Sequence, residues 1–175
     1  MRFEPEKTQV LVRCYPTEMM MPQIIGWFVQ HGLPVEHIHW YTKRFITAAT
    51  NSAIRDIALP SRAEQIVFID ADMKPDRRTD PFLTADGDVV GATFPVDDMA
   101  IWSDPHVAHA GLMRCDRRVL EKMEPPWMDR VFTADGCEVV KCPCLYFSDK
   151  ARALGFTIRR AGWCGHTTRR QPEGD

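Results

Sequence analysis

Two carboxylates at the end of an apolar run are the residues of this chain best placed to do chemistry. Residues 66–76 read Ile-Val-Phe-Ile-Asp-Ala-Asp-Met-Lys-Pro-Asp. The run 66–69 has the length and composition of a buried strand. It stops at Asp70 and Asp72, with one small residue between them. Alternation along an extended chain sends both carboxylates to the same side. Open α/β sheets bind ligands just beyond the carboxyl ends of their strands. Two carboxylates held there repel each other unless a cation sits between or beside them. Hard oxygen donors favour Mg²⁺ or Mn²⁺, and such ions bridge protein carboxylates to a substrate's phosphates. Most Asp-x-Asp pairs are solvated turns; the strand directly before this one is what points to a metal-diphosphate site.

The elements that must position these residues are legible on both sides of them. A strand is expected over 9–14, opening into Tyr15-Pro16-Thr17. Pro22 suits the first position of a helix. Ile24, Ile25, Trp27, Phe28 and Val29 give that helix an apolar face, and Gly32 and Pro34 stop it. A second strand is expected over 35–41, with His37 and His39 alternating against Ile38 and Trp40. Residues 46–59 read as a helix with Ile46, Ala49, Ala53, Ile54 and Ile57 on one side and Pro60 at its end. Residues 65–69 are the third strand. Strand and helix in alternation is the pattern of a parallel α/β layer structure. Further strands are expected over 88–94, 109–114 and 156–160, a loop over 95–105, a short helix over 117–123 and a late helix over 145–154. No repeat, linker or second core is visible. Residues 1–168 are therefore expected to form one three-layer, Rossmann-like α/β domain with a mainly parallel central sheet, followed by a disordered tail over 169–175.

Composition narrows the partners. The 175 residues are 45% hydrophobic and 26% charged, ordinary for a globular domain. A formal net charge of −2 gives no global reason to expect nucleic acid. The pairs Arg77-Arg78, Arg117-Arg118, Arg159-Arg160 and Arg169-Arg170 read as solvated faces or helix-end charges. Neither a secretion signal nor a membrane-spanning run is seen, so the expected location is cytoplasmic and the six cysteines are expected to be reduced. Cys137, Cys142, Cys144 and Cys164 lack paired zinc spacing and read as buried or partly buried thiols.

Four segments, taken in order, carry a resemblance to a known family. They are Ala48-Ala49-Thr50-Asn51-Ser52-Ala53-Ile54-Arg55; Phe68-Ile69-Asp70-Ala71-Asp72-Met73; Ala110-Gly111-Leu112-Met113-Arg114 with 118–123 and Pro126-Trp127; and 147–155 closing on Gly165-His166. Over residues 10–166 the chain resembles a compact glycosyltransferase of the GT-A fold, near the family-2-type nucleotide-sugar transferases. The resemblance implies transfer of a sugar from a UDP- or GDP-linked donor to a hydroxyl acceptor, with Mn²⁺ or Mg²⁺ as cofactor. It implies Asp72 as a direct metal ligand and Asp70 as a contact to the ribose or a metal-bound water. It also implies His166 as a further metal or phosphate ligand, and a neutral imidazole suits Mn²⁺. Tyr15 would lie against the base, although a strand-end aromatic explains it equally well. Asn51 and Arg55, one turn apart on one helix face, would reach the nucleotide and its phosphates. Gly111 would let a sugar approach the backbone. Trp102, His106, His109 and Trp127 would add flat surface around the pocket, with core packing an equal explanation for Trp127.

The chain departs from that family in three places. Many relatives carry Arg directly before the Asn, whereas here Thr50 precedes Asn51, leaving Arg44 or Arg55 to contact phosphate. Inverting members carry a Glu-Asp pair just before the late helix, whose Asp takes the acceptor proton. This chain has Cys142-Pro143-Cys144 there. Asp135, Glu138, Asp97 and Asp98 are the remaining candidate bases. Two alternatives stand beside them: a retaining enzyme whose leaving phosphate acts as base, and a nucleotide-sugar or glycan-binding module that has lost transfer. Lastly, relatives use extra C-terminal structure for acceptor recognition, which a small or extended acceptor, a second copy of the chain or a partner subunit would have to replace. A nucleotidyltransferase is disfavoured, because residues 14–18 lack the Gly-rich basic loop it brings after the first strand.

Overall fold

Val10 and Val12 alternate against Leu11, and all three are fully buried, so this strand must be covered on both faces. Val67 and Ile69 alternate in the same way against Ile66 and Phe68. In the computed structural model, which describes residues 3–14, 22–42, 46–94 and 104–166, these runs are β1 (Thr8–Arg13) and β3 (Gln65–Asp70). They lie side by side, parallel, inside a six-stranded sheet. β2 (Ile38–Tyr41) extends the sheet beyond β1, also parallel. On the other side follow β6 (Leu112–Asp116), β5 (Val89–Thr93) and β9 (Ile158–Trp163), giving the order β2-β1-β3-β6-β5-β9. Only β6 opposes its neighbours; β5 and β9 are again parallel. The expected mainly parallel α/β fold is therefore present.

Helices cover both faces. α1 (Pro22–Gln30) and α3 (Asp80–Thr84) bring Ile24, Trp27, Phe28, Phe82 and Leu83 onto Val10, Val12, Val67 and Ile69. α2 (Ile46–Ala53), α4 (Arg117–Lys122) and α5 (Pro143–Ala153) bring Ala53, Val119, Leu120, Phe147 and Ala151 onto Leu11, Ile66 and Phe68. Each fully buried Val, Leu, Ile or Phe side chain among these contributes roughly 2 kcal/mol.

Local differences from the sequence expectations have local causes. The helix expected over 46–59 changes pitch after Ala53, and Ile54–Ala58 is a π-helical turn closed by Leu59 N–H on the Ile54 carbonyl at 2.9 Å. The second strand starts at Ile38, because Val35–His37 form a 3₁₀ turn after Pro34. The strand expected from 109 starts at Leu112, whose N–H closes a turn on the His109 carbonyl at 3.2 Å. α5 begins earlier than expected, since Pro143 takes the first-turn position that its missing N–H suits. Two small ladders were not legible: β4 (Met73–Lys74) with β10 (Gly165–His166), and β7 (Val131–Phe132) with β8 (Val139–Lys141). No helix among the described residues is long and apolar enough to cross a membrane. The expected tail, 169–175, lies outside the described residues.

Candidate functional site

β3 is buried up to Ile69 and apolar from Ile66, and Asp70 is the first residue to emerge from it. Its backbone is fixed on both sides: Asp70 N–H donates to the Gly111 carbonyl and Ala71 N–H to the Arg13 carbonyl, both at 2.9 Å. The parallel register sets Arg13, the last residue of β1, directly beside Asp70. Arg13 Nη2 donates to Asp70 Oδ2 at 2.6 Å and lies the same distance from Oδ1. Oδ1 is buried and accepts no hydrogen bond of its own. Burial pushes the Asp70 carboxyl above the usual carboxylate range; Arg13 opposes that shift and Asp72 adds to it.

Past the end of β3 the chain turns into β4, and β10 pairs with it antiparallel, Gly165 opposite Lys74 and His166 opposite Met73. This two-residue ladder carries the far end of the chain to the acidic tip. His166 Nε2 stands 3.4 Å from Asp72 Oδ2, with both side chains about one quarter exposed or less. Phe94 packs against both histidines near the site, 4.6 Å from the His109 ring and 5.9 Å from the His166 ring. His109 Nδ1 accepts the Gly111 N–H at 2.9 Å, which leaves the ring proton on Nε2. Burial, with Arg13 nearby, holds the His109 pKa well below the ordinary histidine range, so this imidazole is neutral.

These donors fit a divalent cation in part. A carboxylate oxygen and an imidazole nitrogen suit Mn²⁺, whereas both Asp70 oxygens face Arg13 at 2.6 Å. Two ligands each about 2.1 Å from an octahedral ion stand about 3 Å apart, close to the Asp72–His166 separation. Among the described residues, however, no group of three His, Cys, Asp or Glu side chains converges to hold an ion alone. The shell would need oxygens from water or from a substrate's phosphates, as Mg²⁺ sites usually do.

The other residues singled out by sequence stand as follows. Asn51 and Arg55 line one open cleft of about 570 Å³ with Pro125, Pro126 and Trp127, but neither Asp70, Asp72 nor His166 belongs to that cleft. Both ends of the Asn51 amide are engaged on the Met128 backbone, Nδ2 donating to its carbonyl at 2.8 Å and Oδ1 accepting its N–H at 3.0 Å. Arg55 is exposed and paired with Asp56 at 2.6 Å. At Gly111 the direction a side chain would take is filled from within the protein: a Cβ there would meet Phe94 Cζ at 2.7 Å and His109 Nδ1 at 2.9 Å. Trp127 is a core residue whose Nε1 donates to the Leu120 carbonyl, and His106 is exposed. Asp135 and Glu138 belong to the exposed connection between β7 and β8. Asp135 Oδ1 accepts from Thr133 Oγ1 and Cys137 N, and these bonds hold its carboxyl below the usual range. Tyr15, Arg44, Asp97, Asp98 and Trp102 lie outside the described residues.

Two contributors escaped the sequence reading. Arg13 could have been found only from the strand register. Phe94 ends an apolar strand and carried no chemical signal.

No family model and no curated protein matches this chain. Solved structures do. It is similar to A197 from STIV at a TM-score of 0.61 and 14% identity, covering 92% of this chain and 86% of that one. The catalytic domain of Drosophila beta1,4galactosyltransferase 7, solved with xylobiose, matches at 0.63 and 14% identity, covering 93% and 71%. The mannosyltransferase PcManGT from Pyrobaculum calidifontis, solved with GDP-Man and Mn²⁺, matches at 0.57 and 14% identity, covering 95% of this chain and 58% of that one. What the chain shares with these proteins, at such identity, is the fold.

Proposed function

We propose that this protein is a metal-dependent glycosyltransferase that moves a sugar from a nucleotide sugar to a hydroxyl acceptor. The observation that carries the reading is the meeting of Asp72 and His166 beyond the end of β3, on a fold shared with two glycosyltransferases. That one neighbour was solved with GDP-Man and Mn²⁺ supports a nucleotide-sugar donor and a divalent ion here. In this reading Asp72 and His166 hold the ion. Asp70, fixed by Arg13, contacts the ribose or a metal-bound water. The bound ion would stabilise the charge that grows on the leaving diphosphate. Arg13 fixes the Asp70 carboxylate, and burial keeps His109 neutral.

A second reading, a nucleotide-sugar or glycan-binding module, rests on the acceptor side. Of the candidate bases, Asp135 is fully exposed and tied into its own turn, and Glu138 is likewise exposed. The cytoplasmic location and a second copy or partner subunit belong to the same proposal.

Turnover separates the two readings. The protein is incubated with Mn²⁺ and a panel of UDP- and GDP-sugars, and released nucleotide is assayed. Metal-dependent release that falls a hundredfold or more in Asp72→Ala supports the transferase. Donor binding without release, with or without acceptors, supports the module. Absence of any metal or nucleotide binding overturns the transferase, and absence of glycan binding as well overturns the module.

A further inference from the structure

The start of α5 holds two thiols that the proposed transfer does not use. Cys142 is the N-cap, with extended backbone at φ −73° and ψ 163°, and its Sγ accepts the Leu145 N–H at 3.4 Å. Cys144, two residues further on, is buried, and its Sγ accepts the Ala110 N–H at 3.4 Å. Only Pro143 separates the two thiols in sequence. Pro143 between them is helical, and a single helical residue sets its flanking Cα atoms about 5.4 Å apart, inside the span a disulfide bridges. α5 is eleven residues long and aims its positive end at Cys142. Cys142 is partly exposed, whereas Cys144 is closed off from solvent.

We propose that Cys142 and Cys144 form a dithiol site that reduces organic disulfides, with Cys142 as the attacking thiolate and Cys144 as the resolving thiol. In the first step Cys142 Sγ attacks one sulfur of R–S–S–R. The S–S bond breaks, a Cys142–S–S–R bond forms and RS⁻ departs. In the second step Cys144 loses its proton and its sulfur attacks Cys142 Sγ. The mixed disulfide breaks and a Cys142–Cys144 disulfide forms. The second RS⁻ leaves, and the proton from Cys144 ends on a released thiol. Two protein thiols are oxidised and one disulfide is reduced to two thiols.

The division of labour follows from the surroundings. The neighbouring Cys144 thiol, together with the Leu145 N–H, outweighs burial and brings the Cys142 pKa down to about 6. The neighbouring Cys142 and full burial push Cys144 up, with the Ala110 N–H opposing and Arg13 opposing less. Lys141, the charged residue next to Cys142 in sequence, is bound to Asp149 at 2.5 Å, and Asp149 also holds Arg152. Cys137, exposed and five positions upstream, is a built-in comparison.

The test uses the wild-type chain and needs no nucleotide, so its outcome is separate from that of the proposed transfer. Iodoacetamide labelling is followed by peptide mass across pH 5–9, in native and in denatured protein. Native Cys142 is expected to reach half-maximal rate at least one pH unit below its denatured value, and at pH 6.5 to label about fivefold faster than in the denatured chain. That factor is the gain in thiolate fraction less the nucleophilicity lost with lower basicity. Oxidised glutathione should then yield a species two mass units lighter, with Cys142 and Cys144 in one cross-linked peptide. Cys144→Ser should stop at the glutathione adduct on Cys142. If Cys137 captures the glutathione first, or native Cys142 labels no faster than denatured, the assignment is overturned.

Discussion

Arg13 and Asp70 are partners twice over, as neighbours in the parallel register of β1 and β3 and as side chains 2.6 Å apart. Their side chains are only 13% and 19% exposed, so neither charge is well solvated if the other is removed. Arg13→Met is expected to cost about 3 kcal/mol, the range for breaking a largely buried ion pair. Asp70→Asn, which leaves a cation with some access to water, should cost less. The double variant should be more stable than the sum of the two losses implies, with a coupling of 1 kcal/mol or more. Urea unfolding midpoints of the four proteins check this; additive losses would mean that the pair is screened and does not fix the carboxylate.

Asn51 offers a sharper division between folding and binding. Its amide uses both a donor and an acceptor on the Met128 backbone, so Asn51→Asp should fail where the carboxylate meets the Met128 carbonyl. A loss of about 2 kcal/mol is expected, from a lost hydrogen bond and an acceptor left unpaired. Nucleotide affinity per folded molecule should change little, since Asn51 opens onto a cleft that does not include Asp70 or Asp72. Calorimetric titration of nucleoside diphosphate with Mn²⁺, beside thermal unfolding, separates the two effects. A large loss of affinity in a stable variant would place Asn51 at the donor site.

The contrast between Asp70 and Asn51 shows what a linear chain can reveal about this site. Asp70 and Asp72 were legible because a buried strand announces itself by composition, and its end is where an α/β sheet presents ligands. The main strands and helices were legible for the same reason, as alternation and helical periodicity reflect burial on two faces. Arg13 was hidden because register is a property of two strands. The direction of β6 was hidden because antiparallel and parallel strands with both faces buried have the same pattern. The pairing of Gly165 and His166 with Lys74 and Met73 is too short to leave any periodic trace. Asn51 was legible as a polar residue on a helix, but not its partner, which is a backbone group distant in sequence.

At Gly111 the expected effect is steric. Gly111→Ala places a methyl 2.7 Å from Phe94 Cζ and 2.9 Å from His109 Nδ1. Overpacking of this kind costs about 1–3 kcal/mol, and here it also strains the Gly111 N–H bond to His109. Phe94→Leu in the same molecule should return part of the loss, because the closest atom of the clash is removed. Thermal unfolding of both single variants and the double variant tests this. If Phe94→Leu gives no relief, the His109 ring is the obstacle.

His109 should leave a signature in the dependence of stability on pH. Burial, followed by the nearby Arg13, His166 and Arg160, depresses its pKa well below 6.5 in the folded protein. In the unfolded chain it titrates near the ordinary histidine value. Between those two values the unfolded state binds the proton and the folded state does not, so stability falls as pH falls. The contribution is fully present above the unfolded pKa and is lost on acidification through and below it. Over the step from pH 6.5 to 5.5 this one residue should remove about 1 kcal/mol. His109→Gln cannot titrate, so its unfolding free energy should vary less over that step by the same amount. The difference between the two proteins cancels the other histidines. Urea unfolding at the two pH values, wild type against variant, measures it directly. Identical slopes would mean that His109 takes up its proton as readily in the folded protein as in the unfolded chain, and that the neutral tautomer bound to Gly111 is not held.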